Sequence, residues 1–399
     1  MDRPGFDDLV SSSFEFNLRT RTRFGVGSAR NLRKYLEELS YRRAGVIVDS
    51  AVVAQPYIRE VLDGLGSGGA PAIQWVYDLN AEPDYSALDR IRPLFMGADG
   101  RPAVDCFVGI GGGSVIDFAK GLATIVVNPG KAIAYRGFPK DITPSLPTIA
   151  IPTTAGTGSE VTYNAVFIEW SEKKKLGINT MYNFPALAIL DPLVTLSCPR
   201  SVTVSSGMDA VVHAVGSWAS PQSNPLTRIF ARAAFGKLYG ALDRVLDEPS
   251  DIGIRADLQL GAYLASVSLM NSTSDPAGVL SYPLGVEFRV PHGIAGGVFL
   301  PHVVEHNVGK GFDYSELYSL IGGARMDLDV AGKNRHFADL IHGLCRKLGV
   351  PGSLKTFGVN GENVHLLLRA AEQREKSFEL NPVPFTVKDA KGLIMRMIA

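Results

Sequence analysis

Cysteine is scarce in this sequence: three residues in 399, Cys106, Cys198 and Cys345, far apart and without metal-knuckle spacing. That rules out a disulfide framework or a zinc ribbon, and three unpaired thiols point to a reducing, cytoplasmic compartment. Charge of one sign is also lacking. Lys+Arg and Asp+Glu each number 40, so no net field draws the chain to nucleic acid or to an anionic membrane. The longest basic cluster is Lys173-Lys174-Lys175. No stretch of about 18 apolar residues occurs, so nothing is expected to span a membrane. The opening Met1-Asp2-Arg3-Pro4-Gly5 is polar and shows no signal-peptide pattern. Repeats of about 20–50 residues and low-complexity tracts are missing as well. What is present is apolar content, 46% of residues, which is ample for a core and excludes disorder as the main state. At roughly 100–200 residues per domain the length suggests two or three domains.

The first half alternates β-rich runs with helical patterns. Residues 44–48, 72–77, 106–110 and 148–152 read as buried strands by their β-branched content. A helix is expected from about Val115 to Thr124. Strands separated by helices imply βαβ units and a mainly parallel sheet with helices on both faces. Past about residue 196, segments 203–219, 224–246 and 253–271 carry apolar residues at helical spacing, and strand signals nearly vanish. We therefore expect an α/β domain over residues 1–196, an all-helical domain over 197–399, and a cleft between them. Asn381-Pro382-Val383-Pro384 reads as a turn before a last short helix.

Four segments carry chemistry. Gly111-Gly112-Gly113-Ser114, between a strand and a helix, lets backbone N–H groups approach a phosphate at a helix N-terminus; a plain tight turn serves the same residues equally well. It follows two earlier strands, unlike the usual dinucleotide fingerprint on the first strand. Thr153-Thr154-Ala155-Gly156-Thr157-Gly158-Ser159-Glu160 is a second loop of short donors after a strand. Two such loops in one α/β domain favour a nucleotide. Asp209 and His213 are four apart, on one helical face, where they can share a metal or form an ordinary Asp–His pair. His292, in Pro291-His292-Gly293, is placed in a loop before an apolar helix that ends near Pro301-His302.

In this order the segments resemble the iron-dependent (group III) alcohol dehydrogenase family. The resemblance starts at Phe24-Gly25-Val26-Gly27, includes Asp191-Pro192, and continues through Pro283-Leu284-Gly285 to Leu300-Pro301-His302. It implies a dehydroquinate synthase-like fold of two domains and an NAD(P)-dependent oxidoreductase that interconverts an alcohol and an aldehyde or ketone. It also implies a small-molecule substrate, a homodimer, and a divalent metal, Fe²⁺ or Zn²⁺. Carried over by position, Gly111, Gly112, Gly113 and Ser114 would hold the pyrophosphate, with Asp117 on the following helix. Thr153, Thr154, Thr157 and Lys175 would line the rest of the nucleotide. Asp49, at the end of the 46–48 strand, would accept from the ribose hydroxyls and repel a 2′-phosphate, favouring NAD over NADP. Asp209, His213 and His292 match metal ligands.

The departures are specific. A fourth ligand histidine is expected fourteen residues before His292, and that position is Gly278. A second histidine, near the nicotinamide, is replaced by Tyr282, and an acidic residue after the Asp…His pair by Gly216. Tyr282 is expected to donate a proton or hydrogen bond. Arg289 would recognise a polar or anionic substrate through bidentate hydrogen bonds, although an Arg–Glu surface pair with Glu287 reads equally well. Two further readings stay open: an NAD-using lyase or cyclase of the dehydroquinate synthase type, and a catalytically weak nucleotide-binding protein.

Overall fold

The structure, a computed structural model, describes residues 13–66, 73–77 (backbone only), 83–172 and 174–399. The chain forms two compact units. One holds Leu18–Pro199 with Ser250–Gln259; the other holds residues 13–17, Arg200–Pro249 and Leu260–Ala399. The opening polar residues, Ala72 and Lys173 lie outside the described residues.

The first unit is a six-stranded parallel sheet flanked by helices. Its strands are β1 (Arg21–Phe24), β2 (Ala44–Asp49), β3 (Ile73–Tyr77), β4 (Cys106–Gly111), β5 (Thr148–Pro152) and β8 (Leu187–Leu190), in the order β1-β8-β5-β4-β2-β3. A separate antiparallel hairpin joins β6 (Val166–Glu169) to β7 (Lys174–Gly177). The helices are α1 (Leu32–Glu38), α2 (Pro56–Gly66), α3 (Tyr85–Ile91) and α4 (Gly113–Ile125). The strands expected from β-branched content are present, and β2, β4 and β5 are buried throughout. Alternate side chains enter different cores, as the strand period of two requires. Val46, Val48, Cys106, Val108 and Ile110 join α1 and α2. Ile47 and Phe107 join Leu88, Phe118 and Phe167.

Four strands were not evident from the sequence, β1, β6, β7 and β8. β1 reads Arg-Thr-Arg-Phe, is exposed along its length, and takes its place by pairing with β8. Two segments far apart in sequence fix that pairing. Gly25 N–H donates to Leu190 O at 3.0 Å. The buried Asp191 carboxylate accepts from Gly27 N–H at 3.0 Å and Ala29 N–H at 2.9 Å, and from the Tyr57 hydroxyl. It also caps its own short helix, accepting from Leu193 N–H at 3.0 Å. The Phe24–Gly27 and Asp191-Pro192 pieces of the family pattern are thus two halves of one structural knot.

The second unit is helical: α5 (Arg200–Ala219), α6 (Pro225–Arg244), α7 (Ile252–Met270), α8 (Pro276–Phe288), α9 (His292–Gly309), α10 (Ser315–Tyr318), α11 (Val330–Leu348), α12 (His365–Glu372), α13 (Glu375–Phe378) and α14 (Val387–Arg396). The first turns of α7 belong to the sheet unit, where Gln259 Nε2 donates to Pro152 O at 3.1 Å. Two expectations change. His292 is the first residue of α9 rather than a loop residue, and α9 runs on through Pro301 to Gly309 instead of ending there. Among the described residues no helix is long and apolar enough to cross a membrane.

Asp275 starts α8 by accepting from Gly278 N–H at 3.0 Å. Burial pushes its carboxyl up to about 6, against the hydrogen bonds it receives. A carboxyl raised in the folded state contributes stability that is present below its ordinary value of about 4 and is lost as pH rises through about 6. Asp275→Asn keeps the cap oxygen without the charge. It is expected to raise stability by about 2 kcal/mol near pH 7.5, the gain fading towards about pH 4. Urea unfolding at both pH values checks this; an equal shift at both would remove the charge argument. Asp191→Ala leaves the N–H groups of Gly27, Ala29 and Leu193 and the Tyr57 hydroxyl without this acceptor, so a loss of about 3 kcal/mol or more is expected by the same measurement.

Candidate active site

In the sheet unit the two small-residue loops lie side by side at the ends of β4 and β5. Thr153 N–H donates to Gly111 O at 3.0 Å, which ties the loops together at their roots. A Cβ on Gly113 would sit 2.5 Å from Thr157 Oγ1, so only glycine admits this approach. A Cβ on Gly112 would sit 3.5 Å from Thr154. Gly112 is the N-cap of α4 and no side chain caps that helix. The helix N-terminus thus meets Thr154 and Thr157 with Ser114 in its first turn, an arrangement suited to a phosphate. Asp49 stands at the end of β2, buried, with Ala51 N–H donating to it at 2.8 Å. Burial raises its carboxyl above the usual range, partly offset by that bond.

Asp117 is placed differently from the other nucleotide candidates. Its Oδ1 accepts from the Ser159 hydroxyl, and its Oδ2 from Val166 N–H at 3.0 Å. Both oxygens therefore serve the protein, and the residue anchors the second loop rather than facing a cofactor. Lys120, one helical turn on, is fully buried. Its Nζ donates to the carbonyls of Thr162 and Asn164, both at 2.9 Å, and lies 3.7 Å from Asp117. Burial lowers the Lys120 ammonium to about 8 and raises the Glu160 carboxyl to about 7. Lys175, on β7, is near enough to lower the Asp117 carboxyl. Lys120 and Glu160 were both visible inside the motifs, yet nothing in their spacing marked them as buried.

In the helical unit, α5, α8 and α9 bring the remaining candidates together. A Cβ on Gly293 would fall 1.8 Å from Ser205 O and 2.8 Å from Asp209 N. This close helix contact delivers His292 to Asp209. Asp209 Oδ1 lies 3.6 Å from His213 Nε2 and 3.9 Å from His292 Nε2. These separations exceed hydrogen-bond length, while two ligands on one tetrahedral ion with bonds of ~2.1 Å are about 3.4 Å apart. His213 Nδ1 is buried with no hydrogen-bond partner. A largely buried imidazole whose Nδ1 has no partner and whose Nε2 stands beyond bonding distance of Asp209 fits a cation between the three side chains. His292 is oriented from behind. Ser281 Oγ donates to Gly278 O at 2.6 Å and meets His292 Nδ1 at 3.1 Å. With its proton spent on Gly278, the hydroxyl accepts from Nδ1–H, which leaves the Nε2 lone pair facing Asp209.

Tyr282 is partly exposed, and its ring centroid lies 4.9 Å from that of His292. Arg289 is exposed at the end of α8 with a left-handed φ of 55°. The structure brings a different arginine to Tyr282: Arg374, whose burial lowers its guanidinium while the Tyr282 phenol opposes that shift. At the missing ligand position, a Cβ on Gly278 would sit 1.9 Å from Ser274 Oγ. A Cβ on Gly216 would sit 3.1 Å from Asp275 Cγ, so Asp275 occupies the space beside the missing acid. Among the described residues, the three-residue group whose donor atoms all lie within 4.8 Å of one another is a different one, His302, Glu305 and His342.

Comparison with known proteins identifies the family. Residues 19–192 match the family described as iron-containing alcohol dehydrogenase, and residues 203–398 match the C-terminal part of the same family. Long-chain-alcohol dehydrogenase 1 of Geobacillus thermodenitrificans is 28% identical over 375 residues, covering 92% of this chain and 93% of that one. The NAD-dependent methanol dehydrogenase of Bacillus methanolicus is 26% identical, covering 93% and 96%. The solved structure of sulfoacetaldehyde reductase from Bifidobacterium kashiwanohense in complex with NAD⁺ superposes with a TM-score of 0.86 at 25% identity, covering 98% of this chain and all of that one. A parallel-sheet unit, a helical unit and family matches over both establish that this chain belongs to the iron-containing alcohol dehydrogenase family, as an oxidoreductase acting between alcohols and aldehydes or ketones.

Proposed function

We propose that this chain is an NAD-dependent alcohol dehydrogenase or aldehyde reductase that uses a divalent metal held by three protein ligands, Asp209, His213 and His292. The observation that carries the reading is the approach of two imidazole Nε2 atoms to one carboxylate oxygen, at 3.6 and 3.9 Å. Three protein ligands with an open position is a recognised catalytic arrangement for Zn²⁺. When bound, the metal polarises the substrate oxygen and the nicotinamide exchanges the hydride.

The chain's own residues have separable tasks. The sheet-bearing part, expected over residues 1–196, serves the nucleotide, and the helical part, expected over 197–399, the metal and substrate. Gly111, Gly112, Gly113 and Ser114 cradle the pyrophosphate, and Thr153, Thr154 and Thr157 bind along it. Asp117 and Lys120 hold that second loop in place, and Lys175 adds positive charge beside them. Asp49 accepts from the adenosine ribose and disfavours a 2′-phosphate. Ser281 holds His292 with its Nε2 towards Asp209. Tyr282, against His292, donates a hydrogen bond to the substrate, and Arg374, rather than the exposed Arg289, pairs with an anionic substituent. The scarcity of cysteine, three in 399 residues, supports a cytoplasmic location. Resemblance to the family supports a homodimer, which light scattering tests.

Alanine at Gly113 must displace Thr157. Gly113→Ala is therefore expected to weaken NAD binding by about tenfold or more while leaving metal content intact, read by calorimetry and metal analysis. Asp49→Ala is expected to narrow the preference for NAD over NADP; tighter NADP binding by the unaltered chain would overturn that assignment. His213→Ala/His292→Ala is expected to abolish turnover on an aldehyde panel and to remove the metal whose loss by chelation also abolishes it. Full activity in metal-free protein would sink the metal reading. Gly278→His alone collides with Ser274, so the metal-tightening form is Ser274→Gly/Gly278→His.

A further inference from the structure

Helix α9 carries a second set of metal-type donors on its later turns. His302 and Glu305 are three apart and share a face, with His302 Nδ1 3.4 Å from Glu305 Oε2. His342, from α11, places Nε2 2.7 Å from Glu305 Oε1. The two rings meet edge to face, with centroids 5.3 Å apart and planes at 77°. One donor atom from each residue lies within 4.8 Å of the others. The side chains are partly open to solvent, at 28%, 51% and 25% for His302, Glu305 and His342.

We propose that His302, Glu305 and His342 form a surface site for a divalent transition ion, Zn²⁺ foremost, which clamps α9 to α11. Two imidazoles and one carboxylate suit Zn²⁺, Ni²⁺ and Cu²⁺, whereas Mg²⁺ prefers an all-oxygen octahedral shell. Three protein donors leave a position for water. The site is separate from the Asp209 set. His302 is ten residues beyond His292 on the same helix, about 15 Å along the axis at ~1.5 Å per residue. The backbone scaffold is firm on both sides. Helix α11 is capped by Asp329, ends at a left-handed Gly349, and buries Phe337, Ile341, Leu344 and Leu348 beside the His342 face. One charge opposes a cation here: Arg396, near enough to His302 to act on it electrostatically. The ordinary alternative for this group is a hydrogen-bonded His–Glu–His cluster with Glu305 as the shared acceptor.

The test uses the full-length chain, stripped by chelation and titrated with Zn²⁺ or Mg²⁺ by calorimetry, with metal analysis after desalting. Asp209→Ala/His213→Ala/His292→Ala is expected to retain one Zn²⁺ per chain and a Zn²⁺-dependent rise in Tm. His302→Ala/His342→Ala is expected to bind one equivalent fewer than the unaltered chain. Glu305→Gln, at an exposed position that tolerates change, is expected to weaken that same event by about tenfold or more, and Arg396→Ala to strengthen it. Mg²⁺ should give none of these signals. Either of two results overturns the site: no Zn²⁺ bound by the Asp209 triple variant in its folded state, or equal stoichiometry and affinity in the unaltered chain, Glu305→Gln and His302→Ala/His342→Ala.

Discussion

The sheet unit depends on a buried charge pair. Taking the Lys120 ammonium fully out of water is costly, and the cost is offset only because two carbonyls and the Asp117 carboxylate surround it. The carbonyls belong to Thr162 and Asn164, just past the Thr153–Glu160 loop. Asp117 in turn accepts from Ser159 inside that loop and from Val166 at the start of β6. One turn of α4 therefore determines where the loop after β5 runs, and so where Thr157 meets Gly113. The glycines make room, but the buried pair decides what occupies it. Glu160, raised to about 7 beside this pair, keeps the cluster from carrying a full second negative charge at neutral pH.

Much of this was legible in the sequence, and the exceptions share a cause. β2, β4 and β5 announce themselves because both faces are buried and nearly every residue is apolar or glycine. The long helices α5, α6 and α7 announce themselves by period. β1 does not, because Arg21, Thr22 and Arg23 lie on an exposed edge and are held there by Asp191, some 170 residues away in sequence. The hairpin of β6 and β7 is similarly masked by Lys174 and Lys175, which read as a solvated run. The contacts of Asp117 were hidden for the same reason. Its position in the motif is local information, whereas its partners Ser159 and Val166 are not. The assignment of the first turns of α7 to the sheet unit rests on contacts such as Gln259 with Pro152, again non-local.

In the proposed reading of the helical unit, a three-ligand set stands where the family resemblance implies four. Where a histidine would project from α8, Gly278 instead gives its N–H to Asp275 and its carbonyl to Ser281, and Ser274 fills the space a side chain would need. The position has been rebuilt as part of a helix start rather than left as a hole. Ser281 then spends its acceptor on His292, so the missing ligand's own backbone now helps aim a ligand that remains. Asp275 is buried beside Gly216, the point at which an acid has been lost from α5.

These substitutions form one connected change. Gly216 makes room for Asp275; Asp275 caps α8 through Gly278; Gly278 holds Ser281; and Ser281 sets the tautomer of His292. Each link is a contact in the structure, and each transfers a requirement to the next residue. Restoring a single histidine at Gly278 therefore does not recreate a four-ligand site. Its backbone would keep both hydrogen bonds that Gly278 makes, but its Cβ would fall 1.9 Å from Ser274 Oγ, where Ser274 already fills the space. In the proposed metal site the placement of His292 depends on that chain of contacts, while Asp209 and His213 come from a single face of α5.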